Sequence, residues 1–487
     1  MNPQETKFSF VYNEIKQCIM EGHILPGNSL QSSRVLCDQF HVSRYTINRV
    51  FDALQEEGLI EIQPRLAPIV VSRKNITKSS NSISDIVKNK KNILQIYQTF
   101  ALIMPSLLVF SSQNCDIEIM PHYKKAVKVS RLGLTAGGWR PPANLGCDIL
   151  KIGGNSLFSE LYFTFSLYNK LTFFTEECSY FSKHFLQDSG SLTSAILDIL
   201  KGTDPAIKHR QLSNLYQKFA DSIATTLKYL SDISSEYSTQ TSRLFSWNPM
   251  RGQDYFYSKI VNDLNLKIGL GVYSVGMYLP YEKQLAGQYD VSLSTVRKAL
   301  FELEQRGFVK TLNGKGTIVI EPDDTRIHYL ALNSGYTKNA LRYLHALQLM
   351  ILIIHPAALK AAPQFSKEEL DKLADKFTSP SSIYLSDIFE AILKHTDLQP
   401  LYVILSETCR LLEWGHHFTY YPSKKHAILH LNKQVITALQ QLSEGNANSF
   451  ADSISDCYRY ILIRAKKYMV EKCKFNNAAN IKIPKKY

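Results

Sequence analysis

Two short stretches of this chain carry side chains suited to reading base edges, each at the start of a segment whose pattern predicts a helix. In the first, Arg44, Tyr45, Thr46, Asn48 and Arg49 follow Val42-Ser43; in the second, Ser294, Thr295, Arg297 and Lys298 follow Val291-Ser292. A guanidinium pairs bidentately with guanine and an asparagine amide with adenine, each pair giving about 1–3 kcal/mol of discrimination. Thr46, Thr295 and Lys298 suit phosphate, which positions a protein on the duplex without specifying sequence. On the opposite side of each segment, Val50 and Leu54, or Leu300 and Leu303, form the apolar stripe that would pack it.

Such a helix is useful only if its start and angle are set by its neighbours. In both stretches a helix carrying Leu36 or Leu285, with Arg34 or Lys283 beside it, is expected to lead through a short turn to a valine and a serine. The valine is expected to pack inside, and the serine hydroxyl to cap the next helix. A hairpin should come next. In the second stretch it reads F-V-K-T-L-N-G-K-G-T-I-V-I, with N-G-K-G as the turn and Lys315 and Gly316 at its tip, fit to enter a minor groove. In the first, I-E-I-Q-P-R-L-A-P-I-V-V carries Pro64 and Pro68 in place of turn glycines, leaving Arg65 as its cation.

The two stretches are one unit written twice. Ser43 and Ser292 lie 249 positions apart, and the same offset pairs Ile19 with Ile268, Gly22 with Gly271, Gly27 with Gly276, Leu36 with Leu285 and Gly58 with Gly307. The segments C-terminal to the two units also echo each other: Phe219-Ala-Asp-Ser-Ile223 recurs as Phe450-Ala-Asp-Ser-Ile454, and A-L-I-M-P-S-L-L around Pro105 resembles I-L-I-I-H-P-A-A-L around Pro356. Between these landmarks apolar residues recur at spacings of three and four, which predicts helical bundles. The expected organisation is mainly α: winged helix-turn-helix domains over 1–75 and 250–322, helical domains over 76–245 and 323–475, and a basic tail over 476–487. That tail is expected to fray into solvent, with a DNA-gripping arm as the alternative.

At these residues the chain resembles the GntR family of bacterial transcription regulators. The second stretch matches with Leu279-Pro280-Tyr281-Glu282, Leu285-Ala286, Val291-Ser292, Thr295-Val296-Arg297 and Gly307; the first keeps Pro26-Gly27, Arg34, Val42-Ser43-Arg44 and Thr46 but has Asn48 for the arginine. The resemblance implies double-stranded DNA as partner and, through an all-helical second domain of FadR type, a small-molecule effector. That domain often holds a metal through an aspartate and three histidines. Here Ser386 stands in place of the aspartate, Glu390 and Asn432 in place of histidines, and Tyr458 at the last, so neither metal nor cofactor is expected. Glu390, His395 and His430 remain the candidates for contacting a small organic effector, with His416, His417 and His426 nearby in sequence.

Composition is consistent with this reading. The formal charge of +13 and pI near 9.1 suit a polyanion. Eight cysteines lie without zinc-ligand spacing, and M-N-P-Q-E-T-K-F lacks the apolar core of a signal peptide, so a reduced cytoplasmic, nucleoid-associated setting is expected. The apolar runs Leu94 to Phe110 and Leu344 to Leu359 are short and interrupted by proline, and are expected to be core helices with no membrane role. No nucleophile–base pair, phosphate loop or metal triad points to an enzyme. The expected function is DNA-binding regulation by an intrachain pseudo-dimer, acting as a monomer or as a homodimer; a plasmid-type replication initiator, which also carries two winged helices, is the alternative.

Overall fold

The computed structural model describes residues 7–20, 29–40, 42–63, 66–71, 83–113, 115–132, 140–168, 192–233, 244–249, 256–321, 334–378, 383–415 and 424–486. Contacts divide the chain into a first unit of residues 1–101, 114–149 and 159–245 and a second of residues 102–113, 150–158 and 246–487. The fold is mainly α, and the strands among the described residues form two small two-stranded sheets.

In the first unit, α1 (Lys7–Met20), α2 (Ser33–Phe40) and α3 (Arg44–Glu56) precede the antiparallel strands β1 (Ile60–Glu61) and β2 (Ile69–Val70). In the second, α11 (Phe256–Leu270), α12 (Glu282–Tyr289) and α13 (Leu293–Gln305) precede β3 (Val309–Leu312) and β4 (Gly316–Val319). The 249-residue offset survives in three dimensions. Ile60 pairs with Val70 and Val309 with Val319, while the isolated bridges Ser29–Ile69 and Tyr278–Ile318 lie at matching places. The cores match too: Val11, Ile15, Leu36, Ile47, Phe51, Leu54 and Val70 correspond in order to Ile260, Leu264, Leu285, Val296, Leu300, Leu303 and Val319, all buried. Both segments are winged helix-turn-helix domains, called here reader 1 and reader 2.

Between the readers the chain forms α4 (Ile83–Lys88), α5 (Lys90–Ser111), α6 (Tyr123–Leu132), α7 (Arg140–Ile152), α8 (Ser156–Tyr168), α9 (Leu192–Leu200) and α10 (Pro205–Ile233). After reader 2 come α14 (Ser334–Ala361), α15 (Lys367–Lys376), α16 (Tyr384–Lys394), α17 (Gln399–Glu413), α18 (Lys424–Ser443) and α19 (Ala447–Glu471). The repeated five-residue motif serves the same purpose in both halves. Phe219, Ala220 and Ile223 on α10, and Phe450, Ala451 and Ile454 on α19, are buried at helical spacing; Phe219 meets Tyr97 edge-on and Phe450 meets Phe365.

Helices α5 and 336–364 are long and apolar enough to cross a membrane by length and composition, but most of each apolar window is buried inside the fold. They are core helices, each with its proline inside, Pro105 and Pro356.

Two features depart from the expected organisation. Residues 102–113 and 150–158, which spacing assigns to the helical domain 76–245, group with the second unit. There Phe110 and Phe158 are fully buried and meet edge-on at 5.7 Å, and the buried Asn155 amide donates to His345 O and Gln348 Oε1. Helical periodicity identifies an apolar face but not the element that covers it.

The described part of the tail, residues 476–486, does not fray. Ala478 and Ile481 are buried, Gln348 Nε2 donates to Lys482 O, Arg459 Nε to Pro484 O and Lys466 Nζ to Ile481 O, and Lys486 pairs with Asp456 at 2.7 Å. Side chains from α14 and α19 satisfy its backbone carbonyls, which a composition rule about basic termini does not weigh.

Candidate nucleic-acid interface

Each recognition helix begins as its sequence requires. Ser43 and Ser292 have extended backbones, and their hydroxyls accept from the N–H groups of Thr46 and Thr295, the third position of each helix. The threonine hydroxyls lie 3.0 and 2.9 Å from the capping hydroxyls, so Thr46 and Thr295 help build the cap beneath any phosphate they meet. Ser294 Oγ joins the second cap at 2.8 Å from Ser292 Oγ. Each helix ends at an equivalent glycine, Gly58 at φ 66° and Gly307 at φ 78°, where a side chain would strain the turn into the wing.

From this frame Arg44, Tyr45, Asn48 and Arg49 of reader 1, and Ser294, Arg297 and Lys298 of reader 2, are exposed. Arg34 and Lys283, on the helices before, are exposed too, and Tyr45 keeps 72% of its surface open. Lys315 is exposed at the wing turn, with Gly316 beside it at φ 104°. Arg65 lies outside the described residues.

Arg49 and Lys298, exposed on their helices, also lie against aromatic rings. The Arg49 guanidinium lies 4.7 Å from the Phe8 ring centroid, and Lys298 Nζ 4.2 Å from that of Tyr257. Phe8 and Tyr257 are equivalent positions on α1 and α11, so both readers use one cation–π clasp to hold the recognition helix against the first helix. Periodicity places these cations on the exposed side of the helix; the aromatic neighbour comes from a segment some 40 residues away.

The principal side chain that sequence reasoning passed over is Glu282. Arg297 Nε donates to Glu282 Oε2 at 2.8 Å, across the angle between α12 and α13. Arg297 keeps 64% of its side chain exposed and Glu282 37%, so the pair orients more than it stabilises. With Nε committed to Glu282, the terminal nitrogens of Arg297 are the pair left to form a bidentate fork. The equivalent positions in reader 1 are Ser33 and Asn48, neutral at both ends. That joint change of acid with base was the signal available in the sequence.

At the wing of reader 2, a Cβ on Gly316 would meet Tyr278 at 3.6 Å and Tyr281 at 3.7 Å. These two exposed tyrosines precede α12, so the wing and the helix-turn-helix share one surface.

The three effector candidates have separate surroundings. Glu390 is exposed on α16. His395 Nε2 lies 3.1 Å from Glu369 Oε2, with its ring 4.6 Å from Phe365. His430 is exposed on α18, its ring 4.3 Å from that of Tyr460. Among the described residues no group of three or more histidine, cysteine, aspartate or glutamate side chains could hold a metal. His416 and His417 lie outside those residues, and His426 is exposed.

The model of bacterial regulatory proteins of the gntR family matches residues 7–70 and again 256–319, the two readers just described. Both readers are therefore GntR-type domains, and the chain carries that module in tandem. Over 117 residues, 24% of this chain, it is 32% identical to the Exu regulon transcriptional regulator of Escherichia coli (strain K12), covering 45% of that protein. Over 79 residues it is 34% identical to the histidine utilization repressor of Klebsiella aerogenes, covering 16% of this chain and 33% of the repressor. The chain thus spans less than half the length of these GntR relatives. Among solved structures, Streptococcus agalactiae GntR aligns with 42% of this chain and 99% of its own, at 18% identity and a TM-score of 0.20, too slight a likeness to support an argument about arrangement.

Proposed function

We propose that this chain is a GntR-type, sequence-specific, double-stranded-DNA-binding transcription regulator in which one polypeptide supplies both readers that a two-fold homodimer would otherwise provide. The observation that carries the reading is the contrast at equivalent positions of two matching scaffolds. Reader 2 presents Arg297 braced by Glu282, and reader 1 presents Asn48 beside Ser33. The first arrangement favours guanine and the second adenine. A protein with two-fold symmetry demands a palindromic site; two unlike readers in one chain favour an asymmetric operator.

The net charge of +13 supplies the sequence-independent attraction to phosphate. Arg34, Arg44, Lys283 and Lys315 are exposed cations of the two readers. In this reading the protein acts in the cytoplasm at the nucleoid, as a monomeric pseudo-dimer, and the helical domains respond to a small organic effector that binds two conformations unequally.

Genome-wide mapping of bound DNA, repeated with Arg297→Ala and with Arg44→Ala, tests the proposal. Each substitution is expected to erase a different half of one bound motif. Two identical half-sites, both erased by Arg297→Ala, would overturn the asymmetric operator; a wild-type chain enriching no motif would overturn DNA recognition itself.

A further inference from the structure

The recognition helix of each reader ends at equivalent positions, Glu57 and Arg306, and the two residues are held in opposite ways. In reader 1, Glu57 turns back on its own domain: it accepts from Tyr12 and pairs with Lys16 at 2.8 Å, both on α1. The pair is over a third exposed. Reader 1 meets its helical domain elsewhere, where Phe40 at the end of α2 lies edge-on to Phe163 of α8 at 5.9 Å.

In reader 2 the positions of Tyr12, Lys16 and Glu57 are taken by Val261, Asn265 and Arg306, so the internal clasp is gone. Arg306 instead reaches out of its domain. Its guanidinium lies 5.5 Å from the ring centroid of Trp414, the residue that caps α17. Trp414 is buried, with Tyr336 at 5.3 Å and Tyr343 at 6.3 Å, both on α14. Gly415 leaves just enough room for this box, since a Cβ there would meet the Tyr343 ring at 2.4 Å. Arg306 Nη1 is buried without a hydrogen-bond partner among the described residues, so the ring face carries the contact. The linker entering reader 2 is fastened to the same helices: Arg410 Nη2 donates to Asn248 Oδ1 at 3.1 Å, and Arg342 Nη2 to Pro249 O at 2.5 Å.

We infer that Arg306 and the aromatic box of Trp414 and Tyr336 form a joint through which the C-terminal helical domain sets the orientation of recognition helix α13. The inference rests on the reading that α13 meets DNA. Arg306 is a positioning residue: it caps the helix whose other end carries Arg297, and its partner belongs to the domain expected to change state. A planar guanidinium held against a ring constrains orientation as well as distance more than a flexible ammonium does. Reader 1, with Glu57 satisfied internally, takes its orientation from a different, apolar contact.

The test uses the full chain with spin labels on non-canonical residues at Lys310 in reader 2 and Lys372 on α15, read by pulsed dipolar spectroscopy. The wild type should give one narrow distance. Arg306→Lys, which keeps charge and stem, and Trp414→Leu should each lose it to a broad or split distribution, while hydrogen exchange in α11 to α13 stays at the wild-type level. A distribution that stays narrow in both variants overturns the joint. So does loss of exchange protection in reader 2 in step with the broadening, since Arg306 would then only be holding the domain folded. Binding to a duplex selected by the wild-type chain reads the other question separately. If no duplex is selected while the distances broaden, the joint stands and DNA recognition falls.

Discussion

Arg297 on α13 and Glu282 at the first position of α12 are joined by a 2.8 Å hydrogen bond from Nε to Oε2. The bond crosses the helix-turn-helix, so the direction in which the guanidinium points depends on the packing of two helices. Glu282 also sits at a helix N-terminus, where a carboxylate is favoured by the helix dipole.

Arg297→Ala is expected to cost about 1–3 kcal/mol on the half-site of reader 2 and to flatten preference at one base pair. Glu282→Gln should change affinity by less than about 1 kcal/mol while relaxing the same preference. Competition binding across single-base variants of the half-site checks both, and a Glu282→Gln protein as selective as wild type would show that Arg297 needs no brace.

Transplanting the pair into reader 1 should transplant its preference. Ser33→Glu with Asn48→Arg is expected to shift the base selected by reader 1 from adenine towards guanine, more than Asn48→Arg alone does. Because the residues act together, the double change should exceed the sum of the single ones in a mutant cycle. Selection from random duplexes provides the measurement.

Lys315 stands exposed at the turn of the reader 2 wing. If it neutralises one phosphate, Lys315→Ala should weaken binding to all sequences nearly equally and reduce the slope of log affinity against log salt by about 1. Titrations at several salt concentrations would show an unchanged slope if the wing stays clear of the duplex.

The serine caps should matter equally in both domains. Ser43→Ala and Ser292→Ala each remove the acceptor for a helix-end N–H and are expected to destabilise their own reader by about 1 kcal/mol. Hydrogen exchange resolved to α3 and α13 separates the two effects.

Acid should act on the C-terminal helical domain through Glu369. Hydrogen bonds from Lys394 and from the Ser366 backbone, with His395 alongside, hold its carboxyl down to about 2, against an ordinary value of 4.5. A depressed carboxylate contributes its stability above the unfolded value and loses it as pH falls through the folded one. Thermal melts of wild type and Glu369→Gln should therefore differ at neutral pH and converge between about pH 4.5 and 2. A constant difference over that range would exclude this carboxylate as the source.

Much of this protein was legible in its residues because the signals are local. Serine caps, the glycines after each recognition helix and the alternation of buried positions act within one or two turns, and the 249-residue offset carries them intact from one reader to the other. The mainly α character of both helical domains comes from the same short-range periodicity. Tertiary structure decided which surfaces meet. It laid Arg49 and Lys298 on aromatic rings, braced Arg297 with Glu282 and gave His395 and His430 different neighbours. It also placed Arg306 on Trp414 and bound the basic tail to α14 and α19. A cation's partner is whatever ring or carboxylate the crossing helices bring within a few ångströms, and that distance is set by packing between segments tens to hundreds of residues apart.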